Sequence, residues 1–259
     1  MRAVGVHRGA ARHNRRMTTS GSPRPAAARP AAARGASAHP VSEFQRLLRA
    51  QRVWDVELPG FDPAVAPAAP LPLFHTWFAE AVGAGQAEPH TMGLATVAED
   101  GGPDVRTVML HDADERGWHF ASHASSRKGH QLAARPEAAL HFYWASQGRQ
   151  IRIRGRITTA PHAESLADLH ARSTGALAAA LVGRQSEVLD AYEELERSSA
   201  AAWDRAQAEP DADAPTWTLY VLEPLEAEFF QGDARRRHIR LRYRRARADQ
   251  AWTRELLWP

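Results

Sequence analysis

Residues Arg106–Lys128 read RTVMLHDADERGWHFASHASSRK. Two strand-like runs, Val105–Leu110 and Trp118–Ser122, flank an acidic turn that closes at Gly117. Ser125, Ser126, Arg127 and Lys128 follow, at the start of a helical pattern. Lys128 is the sole lysine in 259 residues, against 32 arginines. A lysine ammonium is a compact point charge that tolerates a crowded polyanion, whereas a guanidinium wants a planar, bidentate partner. Arg106, Ser126, Arg127 and Lys128 together read as a phosphate clamp on the edge of a β-barrel, beside a helix start that itself favours anions. Taken singly, Lys128 also reads as a solvated lysine at a helix start.

Working outward, a period of two begins at Thr91 and marks nine strands. They are Met92–Ala98, Val105–Leu110, Trp118–Ser122, Ala138–Trp144, Gln150–Thr158, Trp217–Pro224, Glu226–Phe230, Ile239–Tyr243 and Trp252–Leu256. Glu99, Asp100, Gly101 and Gly102 make a hairpin turn between the first two. Ile151, Ile153 and Ile157 alternate with Arg152, Arg154 and Arg156, the pattern of a half-exposed strand with a basic outer face. Helical patterns interrupt the strands. Ser42–Trp54 starts on a capping serine. Leu73–Val82 carries Phe74, Trp77, Phe78, Ala81 and Val82 on one stripe. Ser126–Ala134 is stopped by Pro136, Ala163–Leu181 is rich in alanine, and Ser186–Ala206 places Glu187 and Asp190 in its first turn, where the helix dipole favours acids. Many short strands with tight turns argue for an antiparallel barrel. The expected class is α+β, one barrel with peripheral helices over residues 39–259.

A hydrophobic content of 44% supports a real core. No apolar run approaches the roughly 18 residues of a membrane span; the longest, Gly175–Val182, is mostly alanine. The absence of cysteine excludes disulfides and thiolate metal sites and fits a reducing, cytoplasmic compartment. No metal site is expected. The pI of about 9.8 misleads, because residues 1–42 hold eight arginines and no acid. The remainder has 25 basic and 30 acidic residues, a formal charge of −5. Charge therefore does not support a nucleic-acid surface on the domain. Residues 1–38 lack apolar periodicity and are expected to be a disordered arm. They hold no apolar core of a secretory signal. An organelle transit peptide, a nucleic-acid arm, and an over-called start with Met17 as the true beginning are the readings of this arm.

In this order, ATV at Ala95–Val97, RTVML at Arg106–Leu110, SRKGHQLAARP at Ser126–Pro136, FYW at Phe142–Trp144, RQIRIRGRI at Arg149–Ile157, RQS at Arg184–Ser186, EFFQG at Glu228–Gly232 and RRRHIRLRY at Arg235–Tyr243 resemble the pyridoxine/pyridoxamine 5′-phosphate oxidase family. The resemblance covers about residues 65–259. It implies a split β-barrel, FMN at a homodimer interface and O2 as electron acceptor; from the charge balance and the apolar runs, no membrane or nucleic-acid partner is expected. It places Arg106, Arg127 and Lys128 at the FMN phosphate, with Ser122 nearby. Val108 and Met109 would offer backbone to the flavin ring. Gln150, Gln185 and Ser186 would meet flavin or ribityl groups from either subunit, and Arg240 would lie near the ring system. Phe230 stands where the family has a tryptophan, so an indole N–H is lost there.

On the substrate side the resemblance assigns Arg236 and His238 to the ring of the substrate, and both are of the family's type. The family's phosphate anchor of Lys, Tyr, Arg and Ser becomes His111, Asp168, Arg172 and Ala176. Only Arg172 is kept. An Asp168 carboxylate facing a phosphate dianion would be repulsive, and Ala176 cannot hydrogen-bond. Three readings follow: a vitamin B6 oxidase making pyridoxal 5′-phosphate, which leads because the Arg236–His238 pair is intact; an oxidase of an unphosphorylated metabolite, similar to those of phenazine biosynthesis; and a non-enzymatic flavin- or haem-binding member, against which the same pair argues.

Overall fold

The computed structural model describes residues 41–54 and 56–259. The arm expected at residues 1–38, with the alternative start at Met17, lies outside them. The chain divides into two compact units, Met1–Gln51 and Arg52–Pro259. The described part of the first is helix α1 (Glu43–Ala50). Ser42 caps it as expected: its hydroxyl accepts the Gln45 N–H at 3.1 Å, and the Gln45 side chain accepts the Ser42 N–H at 3.0 Å. The helix ends at Ala50, short of the expected Trp54, whose φ of 56° is not helical.

The second unit is one antiparallel sheet curled into a split barrel, with peripheral helices. Its strands are β1 (Thr91–Val97), β2 (Pro103–Met109), β3 (Asp112–Asp114), β4 (Gly117–His123), β5 (Glu137–Trp144), β6 (Arg149–Thr159), β7 (Trp217–Gln231), β8 (Ile239–Arg244) and β9 (Thr253–Leu257). The order across the sheet is β2-β1-β5-β6-β7-β4-β3, and β8 pairs with both β7 and β9. Leu94, Leu140, Ile153, Ala227 and Tyr243 lie directly opposite one another on five successive strands, all fully buried. The Leu and Ile side chains among them each contribute about 1.5–3 kcal/mol of burial. Helix α2 (Pro70–Gly83) closes the inner face, with Pro70 in its first turn. Its Phe74 ring meets Phe142 at 5.2 Å, and Trp77 meets Phe229 edge-on at 5.2 Å.

Three expectations need correction. The runs Trp217–Pro224 and Glu226–Phe230 are one strand, β7, which continues through Pro224. Along β7 the pairing with β4 runs up to Leu222 and the pairing with β8 starts at Glu226, so Pro224 lies where that edge changes partner, and the β6 register slips there at Arg154/Gly155. Proline is tolerated at such an irregularity. The alanine-rich pattern Ala163–Leu181 is two helices, α4 (His162–His170) and α5 (Thr174–Val182), because Ser173 is extended and caps the second. The helix expected from Ser186 is α6 (Tyr192–Ala208); Ser186 has φ 79°, which no right-handed helix accepts, and Glu193 and Glu194 replace Glu187 and Asp190 in the first turn. The acidic turn after Met109 also contains β3, which pairs with β4. Helix α3 (Arg127–Ala134) is as expected. Among the described residues no helix is long and apolar enough to cross a membrane.

At the register slip, a Cβ on Gly155 would lie 1.9 Å from the Glu223 carbonyl oxygen, whereas one on Gly93 in β1 would meet nothing closer than 3.8 Å. Gly155→Ala should therefore cost about 1–3 kcal/mol through forced backbone movement. Gly93→Ala should stay within about 1 kcal/mol. Urea unfolding of the two variants compares these costs, and equal losses would contradict the close approach.

Candidate active site

Lys128 is fixed by the start of α3. The Ser126 hydroxyl accepts the Gly129 N–H at 3.2 Å and donates to the His123 carbonyl at 2.7 Å. The Lys128 ammonium is buried and donates to Gln185 Oε1 at 2.7 Å, Ser122 Oγ at 2.9 Å and Ser126 Oγ at 3.5 Å. All three acceptors are neutral, and among the described residues no carboxylate pairs with it. Burial pushes its pKa down, and the nearby Arg106 charge pushes the same way. A desolvated cation without a counter-charge is costly, so this position favours an anion.

Arg106 reaches the same region from the inner face of β2. Its Nη1 donates to Thr96 Oγ1 at 2.5 Å and to the Leu94 carbonyl at 3.2 Å, and its Nη2 to Gln131 Oε1 at 3.0 Å. Asp104 pairs with Arg106 at 2.7 Å and with the exposed Arg127 at 3.5 Å, and accepts the Gln131 amide at 2.9 Å. Hydrogen bonding from Gln131 holds the Asp104 carboxyl below its usual value. Arg106, Arg127 and Lys128 against Asp104 leave two positive charges, which balance the roughly −1.5 to −2 of a phosphate monoester. The donor set fits such a group.

A second set of expected residues lies elsewhere. Gln150, Phe230 and Arg240 stand directly opposite one another on β6, β7 and β8. They alternate with the buried Ile151, Phe229 and Leu241, so they occupy the outer face of the sheet. The Arg240 guanidinium is held by Glu228 at 2.7 and 2.8 Å and donates to the Trp258 carbonyl at 3.0 Å. Arg106, opposite Leu94, belongs to the inner face. Val108 is half-buried and Met109 exposed on β2, an edge strand.

The turn after β7 carries Arg236 and His238. Asp233 organises it: its carboxylate accepts the Arg235 N–H at 2.7 Å, and its own N–H donates to His238 Nδ1 at 3.1 Å. Neutral His238 therefore carries its proton on Nε2. Arg236 has φ 65°, a strained conformation for a non-glycine residue. Sequence reasoning missed Trp54, whose ring lies 5.2 Å from that of His238 and 6.2 Å from that of Phe230, with the Arg236 guanidinium 5.9 Å from its centre. Among the described residues its buried Nε1 has no acceptor. An indole thus stands beside Phe230 after all, supplied from far away in sequence. Nothing local marked it. Asp104 and Gln131 were also missed, although Gln131 lies inside the SRKGHQLAARP motif and Asp104 two residues before Arg106.

His111, Asp168 and Arg172 come together. His111 Nδ1 donates to both carboxylate oxygens of Asp168, at 2.9 and 3.1 Å. Arg172 donates to the same two oxygens from Nε at 3.2 Å and Nη2 at 3.1 Å. Burial pushes the Asp168 carboxyl up, but these bonds outweigh it and bring it down to about 2. Ala176, in the first turn of α5, uses its N–H to bond Ser173 Oγ at 3.3 Å.

Comparison with known proteins gives consistent matches. The family model for pyridoxamine 5′-phosphate oxidase matches residues 78–206, and that for the pyridoxine 5′-phosphate oxidase C-terminal dimerisation region matches residues 217–259. A pyridoxine/pyridoxamine 5′-phosphate oxidase of Salinibacter ruber is 41% identical over 73% of this chain and 89% of its own length. One from Burkholderia cenocepacia is 42% identical over 77% and 94%. The crystal structure of PhzG from Burkholderia lata, in complex with tetrahydrophenazine-1-carboxylic acid, superposes with a TM-score of 0.73 at 31% identity, over 78% of this chain and 99% of that one.

The depressed Asp168 carboxyl gives a pH test. Its folded pKa of about 2 lies below the ordinary 3.8, so its stabilisation is complete above about pH 4 and is lost as pH falls towards 2. Asp168→Asn should unfold at lower denaturant than wild type at pH 7, and the gap should close between pH 4 and 2. A gap independent of pH would show that the pairing does not stabilise the fold.

Proposed function

Since the chain belongs to the pyridoxamine 5′-phosphate oxidase family, we propose that it is an FMN-dependent oxidase whose flavin lies between two copies of the chain. One observation carries this reading: the anion site opens from the inner face at β1, β2 and α3, whereas Gln150, Phe230 and Arg240 line the outer face. A single flavin touching both sets needs each from a different copy. The match of residues 217–259, which include β7, β8 and β9, to a dimerisation region supports the pairing.

Arg106, Ser122, Arg127 and Lys128 would hold the FMN phosphate, and Val108 and Met109 would face the ring through backbone. The left-handed Ser186 shapes the loop that brings Gln185 onto Lys128, so both would serve the ribityl or phosphate end. Bound FMN would supply the hydride-accepting N5 and the route for two electrons to O2, with H2O2 released. Arg236 and His238 would orient the substrate, His238 offering its Nε2–H as a donor. No strong base is needed for hydride loss; positioning alone contributes several kcal/mol, about 7–11 in favourable cases.

Oxidation of pyridoxine or pyridoxamine 5′-phosphate to pyridoxal 5′-phosphate is supported by the names of the relatives and the Arg236–His238 pair. Oxidation of an unphosphorylated heterocycle is supported by the His111–Asp168–Arg172 cluster and by the carboxylic acid bound to PhzG. The purified chain should be yellow and release H2O2 with its substrate. Lys128→Ala should weaken FMN binding about ten- to hundredfold, the worth of one charged hydrogen bond. Equilibrium dialysis measures this, and unchanged retention would remove Lys128 from the site.

A further inference from the structure

The arithmetic that makes the Lys128 site fit a phosphate gives the opposite answer at His111, Asp168 and Arg172. Asp168 is half-buried, and its two oxygens accept four contacts from the neighbouring His111 and Arg172 side chains. The Arg172 fork, the one conventional phosphate-binding group here, is turned onto Asp168 through Nε and Nη2. Arg172 and Asp168 cancel. His111, charged only when protonated, adds at most one positive charge. His111 and Arg172 both lower the Asp168 carboxyl, by hydrogen bonding and by charge. Ala176 supplies a methyl group and spends its N–H on Ser173. A phosphate monoester brings about two negative charges and three strong acceptors to this cluster, and would have to strip Arg172 from Asp168. A carboxylate brings one charge, and a neutral ring brings none.

We propose that Asp168 is a specificity-determining residue that excludes phosphate monoesters from the substrate end, so that the substrate is a heterocycle that is neutral or carries a single carboxylate. This rests on the reading of the chain as an FMN-dependent oxidase and narrows it. Asp168 acts by holding Arg172 and by its own charge; it takes no part in the hydride step.

The test uses the full FMN-loaded chain and two probes that differ only in the phosphate, pyridoxal and pyridoxal 5′-phosphate. Binding is read by calorimetry and by perturbation of the flavin absorption band, without turnover. Wild type should bind the phosphorylated probe no more than about threefold tighter than the other. Asp168→Asn, which keeps the shape and removes the charge, should gain at least tenfold for the phosphorylated probe and little for pyridoxal, because a freed guanidinium regains a charged hydrogen bond. A wild-type preference above tenfold for the phosphorylated probe overturns the proposal, and this arm needs no variant to fold. So does an Asp168→Asn chain that retains its flavin spectrum yet shows no gain. A wild type without any flavin spectrum in excess FMN would sink the oxidase reading itself, a failure visible before either probe is added.

Discussion

Strand β7 pairs with β6 at eleven positions and divides its other edge between β4 and β8. That shared edge is the constraint from which the rest follows. It lets one sheet serve two surfaces, because β4 carries the strand toward Ser122 and the start of α3, while β8 carries it toward Arg240 and the C-terminal strand. The change of partner must happen where the ladder is broken. Pro224 and the close approach of Gly155 to Glu223 occupy that place. A side chain at residue 155 would push the two strands apart just where their register slips.

The strict alternation of a strand then sorts the charged residues. Inner-facing positions are apolar through the middle of the barrel and become polar at Thr96, Asp104, Arg106 and Ser122, and again at the buried Arg149–Gln231 pair. Outer-facing positions carry paired charges, with Glu228 buried between Arg152 at 2.7 Å and Arg240 at 2.7 Å. The buried Lys128 differs from these in having no negative partner among the described residues. It is the one place in the proposed cofactor site where the fold concentrates uncompensated positive charge away from water. In the His111–Asp168–Arg172 cluster, by contrast, both carboxylate oxygens are already bonded by the neighbouring side chains.

The turn holding Arg236 and His238 illustrates how a rigid scaffold positions flexible chemistry. Asp233 gathers the backbone of the turn onto one carboxylate and fixes which nitrogen of His238 bears the proton. The cost is a left-handed Arg236. Strain of about 1–3 kcal/mol at one residue is tolerable when its neighbours are pinned in this way.

Much of this was legible in the chain itself. The Ile151–Ile153–Ile157 alternation determined a half-buried strand, since a period of two admits no other face assignment. Ser42 and Ser126 determined helix starts, because a serine hydroxyl satisfies an otherwise orphaned N–H locally. Ordered motifs determined the family. Local signals failed where distant contacts override them: Pro224 reads as a strand end until two partner strands meet beside it, and Val188 reads as helical until Ser186 adopts a left-handed turn that brings Gln185 to Lys128. Pairing across space is invisible to spacing along the chain. Only the tertiary structure could place Trp54 against Phe230, join Asp168 to a histidine 57 residues away, and set Arg106 and the Gln150–Phe230–Arg240 row on opposite faces of one sheet.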